Sequence, residues 1–375
     1  MQLSCYSDNE WQQKHLIRQR LIHNGSHVHF NSSDYLGLSK HPDIIKAAQE
    51  GLNTYGISSR GSGLVNGYYQ AHQEFEQAFA TFTGFAAALF FPSGYMANLA
   101  IAQSLTTHND LIFYDQLSHA SLIDSMRLGT AKTHRFRHKN ITHLNRLIES
   151  KDAKNNRYIL TNSVFSCDGA LADLQALSGI KSKHQISLII DDAHGLGVLG
   201  KEGRGTLSHL NLNPNNIFLA SYPLSKGFGC YGAMLCGNHD TIHALIQFAR
   251  TYRYTTAIPP LFATAGLMAL DILQKEPWRQ ETLQKLIAYF NEHTTHLRKE
   301  PSSTAIQAFN VGDAEKALTL QKKLSDHGFL VGCLRAPSVP INNSLIRITL
   351  TVDHSEKEMN QLIELLTSEK DLCKT

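Results

Sequence analysis

The sequence of 375 residues has no block of like charges. Its 35 Lys and Arg residues nearly balance its 32 Asp and Glu residues, and the net charge is +3. Proteins that bind nucleic acids usually carry a clustered basic surface, because the phosphate backbone supplies most of the binding energy. We therefore expect no nucleic-acid partner.

Long apolar runs are also missing. No stretch approaches the ~18 consecutive apolar residues of a membrane-spanning helix, and residues 1–8 do not pair a basic segment with an apolar one. The six cysteines include no CxxC pair and are too sparse for a disulfide framework. These absences predict a reduced, cytoplasmic protein that is neither secreted nor bound to a membrane.

Two familiar ligand motifs are absent or incomplete. His239 and His243 could share a helix face, but there is no HExxH motif and no third ligand nearby, so we predict no metal site. Residues 195–200 match GxGxxG after an apolar run. A dinucleotide-binding motif opens a helix, whereas here a glycine-rich loop follows to Gly205, which argues against nicotinamide binding.

Apolar runs alternate with amphipathic segments from about residue 70 to residue 236. This alternation predicts a doubly wound, largely parallel sheet flanked by helices. Residues 255–260 resemble a domain crossing, and a long helical stretch is predicted over about 261–299. The predicted segments are an N-terminal arm over 1–40 that includes a helix over 9–22, a large domain over 41–255, and a smaller α/β C-terminal domain over 256–375.

Two apolar runs end in reactive side chains. One, at 187–190, leads into Asp191 and His194, and the other, at 218–224, leads into Lys226. Buried strands deliver side chains to the edge of a sheet in this way. An acid, an imidazole and a lysine at successive strand ends suit a pyridoxal phosphate (PLP) site, in which the lysine forms a Schiff base and the acid pairs with the pyridinium nitrogen.

Other segments carry weaker signals. The predicted strand 86–91 ends at Gly94 and Tyr95, where a helix begins, and a helix N-terminus after a tight turn can bind phosphate. His119 follows another strand end, but its position alone favours a capping or surface histidine. The glycine-rich stretch 56–67 is interpreted equally well as a flexible loop or as a backbone that approaches a ligand.

Five segments carry a family pattern, and they are Ser33–Ser39, Phe91–Asn98, Leu117–Leu122, Asp191–Gly205 and Ser225–Gly229. Together they resemble the α-oxoamine synthases, which are PLP-dependent enzymes of the aspartate-aminotransferase fold type. Within that family, residues 335–340, 247–250 and 258–260 are most similar to the branch that serves biotin synthesis. The resemblance implies PLP fold type I, with a large domain around a mostly parallel sheet and a smaller α/β C-terminal domain.

The resemblance also implies roles in holding the cofactor. Lys226 would carry PLP and act as the base for the Cα proton, while Asp191 would keep the pyridinium nitrogen protonated. His194 would contact the phenolic oxygen of the ring, and His119 would stack on the ring face. The remaining contacts implied for the cofactor come from Ser166 and from the backbone of Gly94 and Tyr95.

The implied reaction condenses L-alanine with a pimeloyl thioester, carried on coenzyme A or acyl carrier protein, to 8-amino-7-oxononanoate and CO2. Arg335 would receive the amino-acid carboxylate, with Ser338, Ser33 and His119 close to the substrate. The family is homodimeric with its active site at the subunit interface, so the loop 60–67 would serve the neighbouring subunit.

The chain departs from the family at several positions. Pro223 replaces the threonine three residues before the lysine and has neither a hydroxyl nor an N–H group; Ser221, Tyr222 or Ser225 could substitute for it. Ser33 replaces an asparagine, and residues 57–62 replace a Gly-Ser-Gly-Gly-Ser segment.

Three questions stay open at this point. One alternative is a sister synthase, for example one that joins glycine to acetyl-CoA or makes α-hydroxyketone signals. Another is a catalytically silent protein with the PLP fold. Finally, Arg135, Arg137 and Lys139 could meet an acidic carrier protein or could form an ordinary solvated face.

Overall fold

The computed structural model describes residues 11–12, 15–18, 20, 22, 25, 27–297, 299–300 and 302–369. The chain divides into two compact units. The larger comprises Asp34–Phe165 and Leu171–Glu281, and the smaller comprises Met1–Ser33, Ser166–Ala170 and Thr282–Thr375. The predicted ends of the N-terminal arm at residue 40 and of the large domain at residue 255 stay predictions.

The strands are β1 (Val28–Phe30), β2 (Ala87–Phe91), β3 (Leu111–Asp115), β4 (Lys132–Phe136), β5 (Arg157–Asn162), β6 (Ser187–Asp191), β7 (Leu219–Pro223), β8 (Ala233–Gly237), β9 (Ile306–Gly312), β10 (Phe329–Leu334) and β11 (Ser344–Thr349). The α-helices are α1 (Pro42–Tyr55), α2 (Gln70–Thr83), α3 (Gly94–Leu105), α4 (Ala120–Leu128), α5 (Ile141–Glu149), α6 (Leu174–His184), α7 (Thr206–His209), α8 (His239–Phe248), α9 (Arg250–Arg253), α10 (Pro260–Lys275), α11 (Pro277–His293), α12 (Ala314–Asp326) and α13 (Glu356–Ser368).

The larger unit is built on a seven-stranded sheet in the order β2-β8-β7-β6-β5-β3-β4. All neighbouring strands from β7 to β4 are parallel, and only β8 runs antiparallel to both of its neighbours. The prediction of a mostly parallel sheet flanked by helices is therefore confirmed. Apart from the edge strand β4, its strands are largely apolar, because helices cover both faces of such a sheet and leave no solvated side.

This topology places the carboxyl ends of β2, β3, β5, β6 and β7 at one edge of the sheet. Ligands of open α/β sheets bind outside this edge, because the loops that leave it diverge toward helices on opposite faces. A core of small and aliphatic side chains fixes α3 against the sheet: Ala97 and Ile101 of α3 pack in one cluster with Ile189 and Leu219. The N-terminus of α3 is thereby held at the same edge.

The smaller unit contains a four-stranded sheet in the order β1-β10-β11-β9, in which only the β1–β10 pair is parallel. Helix α12 packs on this sheet and buries Ala317, Leu320 and Leu324. The helix predicted over residues 9–22 is wrong in its described C-terminal part, since residues 15–18, 20 and 22 are not helical; its other residues apart from 11 and 12 lie outside the described ones.

The predicted long helical stretch after residue 261 is two helices, α10 and α11, separated at Glu276. The break follows from Pro277, whose ring disfavours helical geometry in the residue before it. None of the helices in the described part of the chain is both long and apolar enough to cross a bilayer.

A buried carboxyl lies between α2 and β2. Glu76 accepts hydrogen bonds from the Phe90 amide at 2.8 Å and from the Tyr68 hydroxyl at 2.7 Å. Burial raises the pKa of Glu76 to about 7, and these two hydrogen bonds oppose the rise only in part. The folded protein thus holds a proton that the unfolded chain releases near pH 4.5, so stability falls as pH rises from 4.5 to 7.

We expect Glu76→Gln to remove this loss, because an amide of the same size carries no charge. Its oxygen can accept from the Phe90 amide, and its NH2 group can donate to the Tyr68 hydroxyl, which then acts as acceptor. The variant should be more stable than the wild type by up to about 3 kcal/mol at pH 8, with little difference at pH 4.5. Urea unfolding at the two pH values measures the difference. Glu74→Gln, on the exposed face of the same helix, is the matched control. A stability difference that does not change with pH would contradict the assignment.

Candidate active site

Three polar side chains form a row across the carboxyl ends of neighbouring strands. Asn162 pairs in register with Asp191, and Asp191 pairs with Ser221. The Asp191 carboxylate is 2% exposed and accepts hydrogen bonds from Asn98 Nδ2 at 2.8 Å and from the Ala193 amide at 3.0 Å. These two donors hold a buried carboxylate in one orientation at the active edge of the sheet.

His119 lies beside this carboxylate at the start of α4. Its amide donates to Asn162 Oδ1 at 2.9 Å, and its Nδ1 is 2.7 Å from Ser121 Oγ. Part of the His119 surface is exposed, but the protein atoms around the ring desolvate it and thereby lower the pKa of His119. The negative charge of Asp191 opposes this shift, and the positive charge of Lys226 adds to it. The structure therefore brings His119, Asp191 and Lys226 into one electrostatic site.

Lys226 projects from a tight loop between β7 and β8. The loop is closed by hydrogen bonds from the Leu224 amide to the Gly232 carbonyl at 2.9 Å and from the Cys230 amide to the Leu224 carbonyl at 3.0 Å. The Gly229 amide binds the Lys226 carbonyl at 2.8 Å. The half-buried lysine is thus anchored through its own backbone at the edge of the sheet.

His194 is buried, and its Nδ1 is 2.6 Å from the hydroxyl of Tyr35, which is itself 1% exposed. Sequence reasoning did not single out Tyr35 as a functional residue, although it lies within the family segment 33–39. The available signal was that Tyr35 combines an aromatic ring with a hydroxyl and lies in a polar loop that contains glycine. The contact orients the imidazole that the sequence predicted for the cofactor ring.

Asp192, next to Asp191, binds neighbouring protein groups and stabilises the loop that follows it. It is fully buried and accepts hydrogen bonds from the Ser163 hydroxyl and from both the amide and the hydroxyl of Thr206. Burial raises its pKa to about 6. A Cβ on Gly195 or Gly205 would lie 2.1 Å from one of its carboxylate oxygens. Gly195 in the GxGxxG-like segment and Gly205 after it therefore let the loop close around Asp192. No α-helix begins within residues 195–200.

The N-terminus of α3 meets the end of β7. Ser93 caps the helix by accepting from the Met96 amide at 3.2 Å, and the helix begins at Gly94. A Cβ on Gly94 would lie 2.7 Å from Cγ of Pro223, so the proline ring packs directly against the glycine backbone. Nearby in β7, the buried Ser221 hydroxyl has no hydrogen-bond partner among the described residues. A helix start of this kind can hold a phosphate through its free amides.

We expect Gly94→Ala to destabilise the protein by about 1–3 kcal/mol, because the added methyl must displace the end of β7 or the start of α3. Gly179→Ala is the control, since nothing lies within 4 Å of its Cβ position in the exposed face of α6. That variant should gain roughly 0.5–1 kcal/mol from helix propensity. Urea unfolding of both variants measures the contrast, and equal effects would contradict the close approach.

The smaller unit holds the other predicted residues. Arg335 is 8% exposed and donates to the His15 carbonyl through Nη1. In the part of the chain that the structure describes, its buried Nε has no partner. Ser338 accepts from Arg18 Nη2 at 3.1 Å. The carbonyl of Ser166 accepts a hydrogen bond from Arg347 Nη1 at 2.9 Å. The sequence analysis did not single out Arg347, although a lone arginine within an apolar strand is a visible signal.

Ser33, the last of the predicted substrate contacts, is half-buried and also belongs to the smaller unit. The larger unit supplies Lys226, Asp191, His194 and His119, together with the helix start at Gly94. The structure thus brings the predicted Lys226, Asp191 and His119 together. The arginine predicted to bind the carboxylate, Arg335, lies on the loop after β10.

A family model for aminotransferase class I and II matches residues 26–366. The chain belongs to the class I and II aminotransferase family. It is 42% identical over 339 residues to the 8-amino-7-oxononanoate synthase of Stutzerimonas stutzeri and 40% identical over 341 residues to that of Saccharophagus degradans. Each alignment covers 90% of this chain and 86% of the relative.

Solved structures of related enzymes have the same fold. The 8-amino-7-oxononanoate synthase of Francisella tularensis is 34% identical, with a TM-score of 0.81, and the match covers 92% of this chain and 98% of that one. A serine palmitoyltransferase from S. paucimobilis with bound PLP–myriocin is 26% identical, with a TM-score of 0.88 and coverage of 92% and 88%. The predicted fold type and the resemblance to the biotin branch are confirmed by these relatives.

The residues present in this aminotransferase-family chain fit PLP. The donor set combines a lysine amine, a buried carboxylate held by Asn98 and a helix start that can take a phosphate, which are the groups that PLP requires. The buried Ser221 hydroxyl, near the end of β7, has no partner within the described part of the chain and is free to contact a bound group. Among the described residues, no group of three or more His, Cys, Asp or Glu side chains could hold a metal ion.

Proposed function

We propose that this protein condenses L-alanine with a pimeloyl thioester and releases 8-amino-7-oxononanoate, CO2 and the free thiol carrier, as a step of biotin synthesis. The observation that carries the proposal is the identity of 40–42% to 8-amino-7-oxononanoate synthases over 90% of the chain. The grouping of Lys226, Asp191 and His119 at one sheet edge supports it, because this chemistry needs a proton acceptor beside an electron sink.

The cofactor in this proposal is PLP, and Lys226 is the residue that would hold it covalently. Asp191 would keep the pyridine nitrogen protonated, and His194, oriented by Tyr35, would donate to the ring oxygen. The amides at Gly94 and Tyr95 would meet the phosphate, with Ser166 as a further contact. Bound in this way, PLP supplies an electron sink for the bonds that break at Cα of the amino acid.

The chain itself would manage protons and charge. The Lys226 amine would take the Cα proton of alanine and return a proton to the product at the same carbon. Arg335 would bind the alanine carboxylate through its guanidinium, which suits a carboxylate because it offers two parallel N–H donors. Ser338, Ser33 and His119 would complete the substrate contacts.

Pro223 bears on how tightly the phosphate would be held. The proline supplies no hydroxyl, and its ring packs against Gly94 at the helix start. Ser221 and Tyr222 both carry a buried hydroxyl that has no partner among the described residues. The Tyr222 ring packs against Phe79 and Phe85, whereas Ser221 lies on the same face of β7 as Pro223. We infer that Ser221 is the better candidate for an additional polar contact in this region.

We further propose that the protein is a cytoplasmic homodimer. Val65 is 83% exposed, and Tyr254 is 66% exposed. The loop that carries Val65 is ordered: Ser59 donates to the Ala257 carbonyl at 2.6 Å, and the Ala257 amide donates to the Gly61 carbonyl at 2.9 Å. Ordered loops that expose large apolar side chains are typical of interfaces. Light scattering on the purified protein tests this, and a monomeric mass would contradict it.

A sister synthase is the second candidate, because the serine palmitoyltransferase fold matches with the higher TM-score of 0.88. Its sequence identity is 26%, however, against 34% for the solved 8-amino-7-oxononanoate synthase. Shape is shared by the whole family, whereas substrate choice depends on side chains. Sequence identity is therefore the better guide to the amino acid used.

The test is a substrate panel on the purified protein supplied with PLP. L-alanine, glycine and L-serine are each combined with pimeloyl-CoA and with pimeloyl-acyl carrier protein, and mass spectrometry detects the product. We expect 8-amino-7-oxononanoate from alanine and a visible absorption band of bound PLP that alanine perturbs. Product only from glycine or serine would identify a sister synthase, and the absence of any bound PLP would indicate a catalytically silent protein.

A further inference from the structure

We propose that Ser121, itself oriented by Asn98, fixes His119 in the tautomer that carries its proton on Nε2. Ser121 and Asn98 are positioning residues in this proposal, because they act on the substrate through the imidazole. The tautomer follows from the hydrogen bonds of the chain alone. Its consequence for catalysis rests on the proposed function.

A continuous hydrogen-bonded path joins the buried carboxylate to the imidazole. Asn98 Nδ2 is 2.8 Å from Asp191 Oδ2 and 2.9 Å from Ser121 Oγ, and Ser121 Oγ is 2.7 Å from His119 Nδ1. Asn98 and Ser121 are each 1% exposed. Solvent therefore does not compete for these contacts. Both contacts of the Asn98 side chain are made by its NH2 group, and its Oδ1 has no partner among the described residues.

The direction of every hydrogen bond in the path follows from Asp191. A carboxylate that is ionised can only accept, so the side of the Asn98 amide that faces it must be the NH2 group. The second hydrogen of that NH2 group goes to Ser121 Oγ. The Ser121 oxygen is thereby an acceptor toward Asn98, and its own hydrogen is left to donate to His119 Nδ1.

A second donor reaches the same imidazole nitrogen. The backbone amide of Ser121 points at His119 Nδ1 at 3.3 Å. Two donors directed at one ring nitrogen require that nitrogen to be unprotonated. The proton of the neutral imidazole is then on Nε2. Because the partner of one ring nitrogen determines the state of the other, Nε2 is left as a donor.

The burial of the ring favours its neutral form. Partial burial is the main cause that lowers the pKa of His119, and the Lys226 ammonium lowers it further, while Asp191 acts in the opposite direction. A neutral imidazole with a fixed N–H is a directed donor to an oxygen of the substrate. A ring free to exchange tautomers would present a lone pair there for part of the time and would bind such an oxygen less well.

A purely structural role for Ser121 makes different predictions. His119 is the N-cap of α4 and Ser121 lies in its first turn, so loss of the hydroxyl could simply loosen the helix start. In that case the stability would fall while the state of the His119 ring stayed the same. The experiment must therefore read the ring nitrogens directly.

The experiment is ¹⁵N NMR of the histidine-labelled protein with its cofactor, comparing the wild type, Ser121→Ala and Ser125→Ala. The His119 signals are assigned by their loss in His119→Asn. Ser125 is the matched control, because it is a fully buried serine of the same helix that binds the Ala102 amide at 3.0 Å. We expect one acceptor-type and one N–H-type nitrogen for His119 in the wild type and in Ser125→Ala.

In Ser121→Ala the two nitrogen shifts should move toward each other as the tautomers exchange, and kcat/KM should fall about 5- to 10-fold, the scale of one lost hydrogen bond. Ser121→Thr keeps the hydroxyl and should restore both readouts. Asn98→Ala, which keeps Ser121 but removes the donor that orients it, should give intermediate averaging and serves as the second variant should Ser121→Ala not fold.

Unchanged His119 shifts in both Ser121→Ala and Asn98→Ala would overturn the proposal, as would a wild-type His119 with its proton on Nδ1. The NMR readout needs no substrate. A protein that shows the expected tautomer but makes no product from any amino acid tested would therefore contradict the proposed function and leave the assignment of the tautomer standing.

Discussion

Lys226→Ala is expected to abolish covalent attachment of PLP and to lower kcat by about 10²–10⁴-fold, the contribution of a positioned acid or base. The loss should be this large because one amine would both hold the cofactor and carry the proton at the substrate Cα. Borohydride reduction followed by mass spectrometry measures attachment, and a steady-state assay with alanine and pimeloyl-CoA measures kcat.

Lys201→Ala is the control for this variant. Lys201 lies in the glycine-rich loop 195–205, its side chain is 79% exposed, and its ion-pair partner is Glu202. Its removal should change neither attachment nor kcat beyond about twofold, since exposed ion pairs contribute little. A Lys226→Ala protein that still carries PLP covalently and turns over normally would overturn the assignment of the site.

Asp191→Asn is expected to lower kcat by at least about 10²-fold with little change in KM, the scale for removing one preorganised electrostatic partner. The asparagine has the same size, and its oxygen can keep the hydrogen bond from the Ala193 amide. Its NH2 group requires the Asn98 amide, which now donates to Asp191, to turn its oxygen toward it. The new asparagine cannot hold a proton on the pyridine nitrogen, because it has no negative charge. The pH dependence of the absorption band of bound PLP, together with kcat and KM, measures the change.

Asp192→Asn separates this electrostatic effect from a structural one. Its oxygen can keep the hydrogen bond from the Thr206 amide, which now donates to Asp192 Oδ2 at 2.8 Å. Its NH2 group then faces the Ser163 and Thr206 hydroxyls, which now donate to Asp192 Oδ1. We expect a loss of about 1–3 kcal/mol in stability, because a buried donor is left unpaired, while kcat of the folded protein stays within a few-fold. Equal losses of kcat in the two variants would argue that neither carboxylate has a specific role in catalysis.

Several parts of the fold could be predicted because they depend on local pattern. The strands predicted at 86–91 and 187–190 occur as β2 and β6, since continuous apolar runs are visible in the chain. β4 was not predicted, because Lys132–Phe136 is an edge strand with mostly exposed side chains and no apolar pattern. The break at Pro277 was overlooked although the residue itself signals it.

The sequence by itself determined the mostly parallel sheet and the positions of Asp191 and Lys226 at strand ends, because each of these follows from residues adjacent in the chain. Only the tertiary structure decided how His119 is held, since Asn98, Ser121 and Asp191 lie far apart in the sequence and meet where α3 and α4 pack beside β6. The approach of Gly94 to Pro223 is equally non-local. Distances between side chains on different elements depend on packing, which no local pattern encodes.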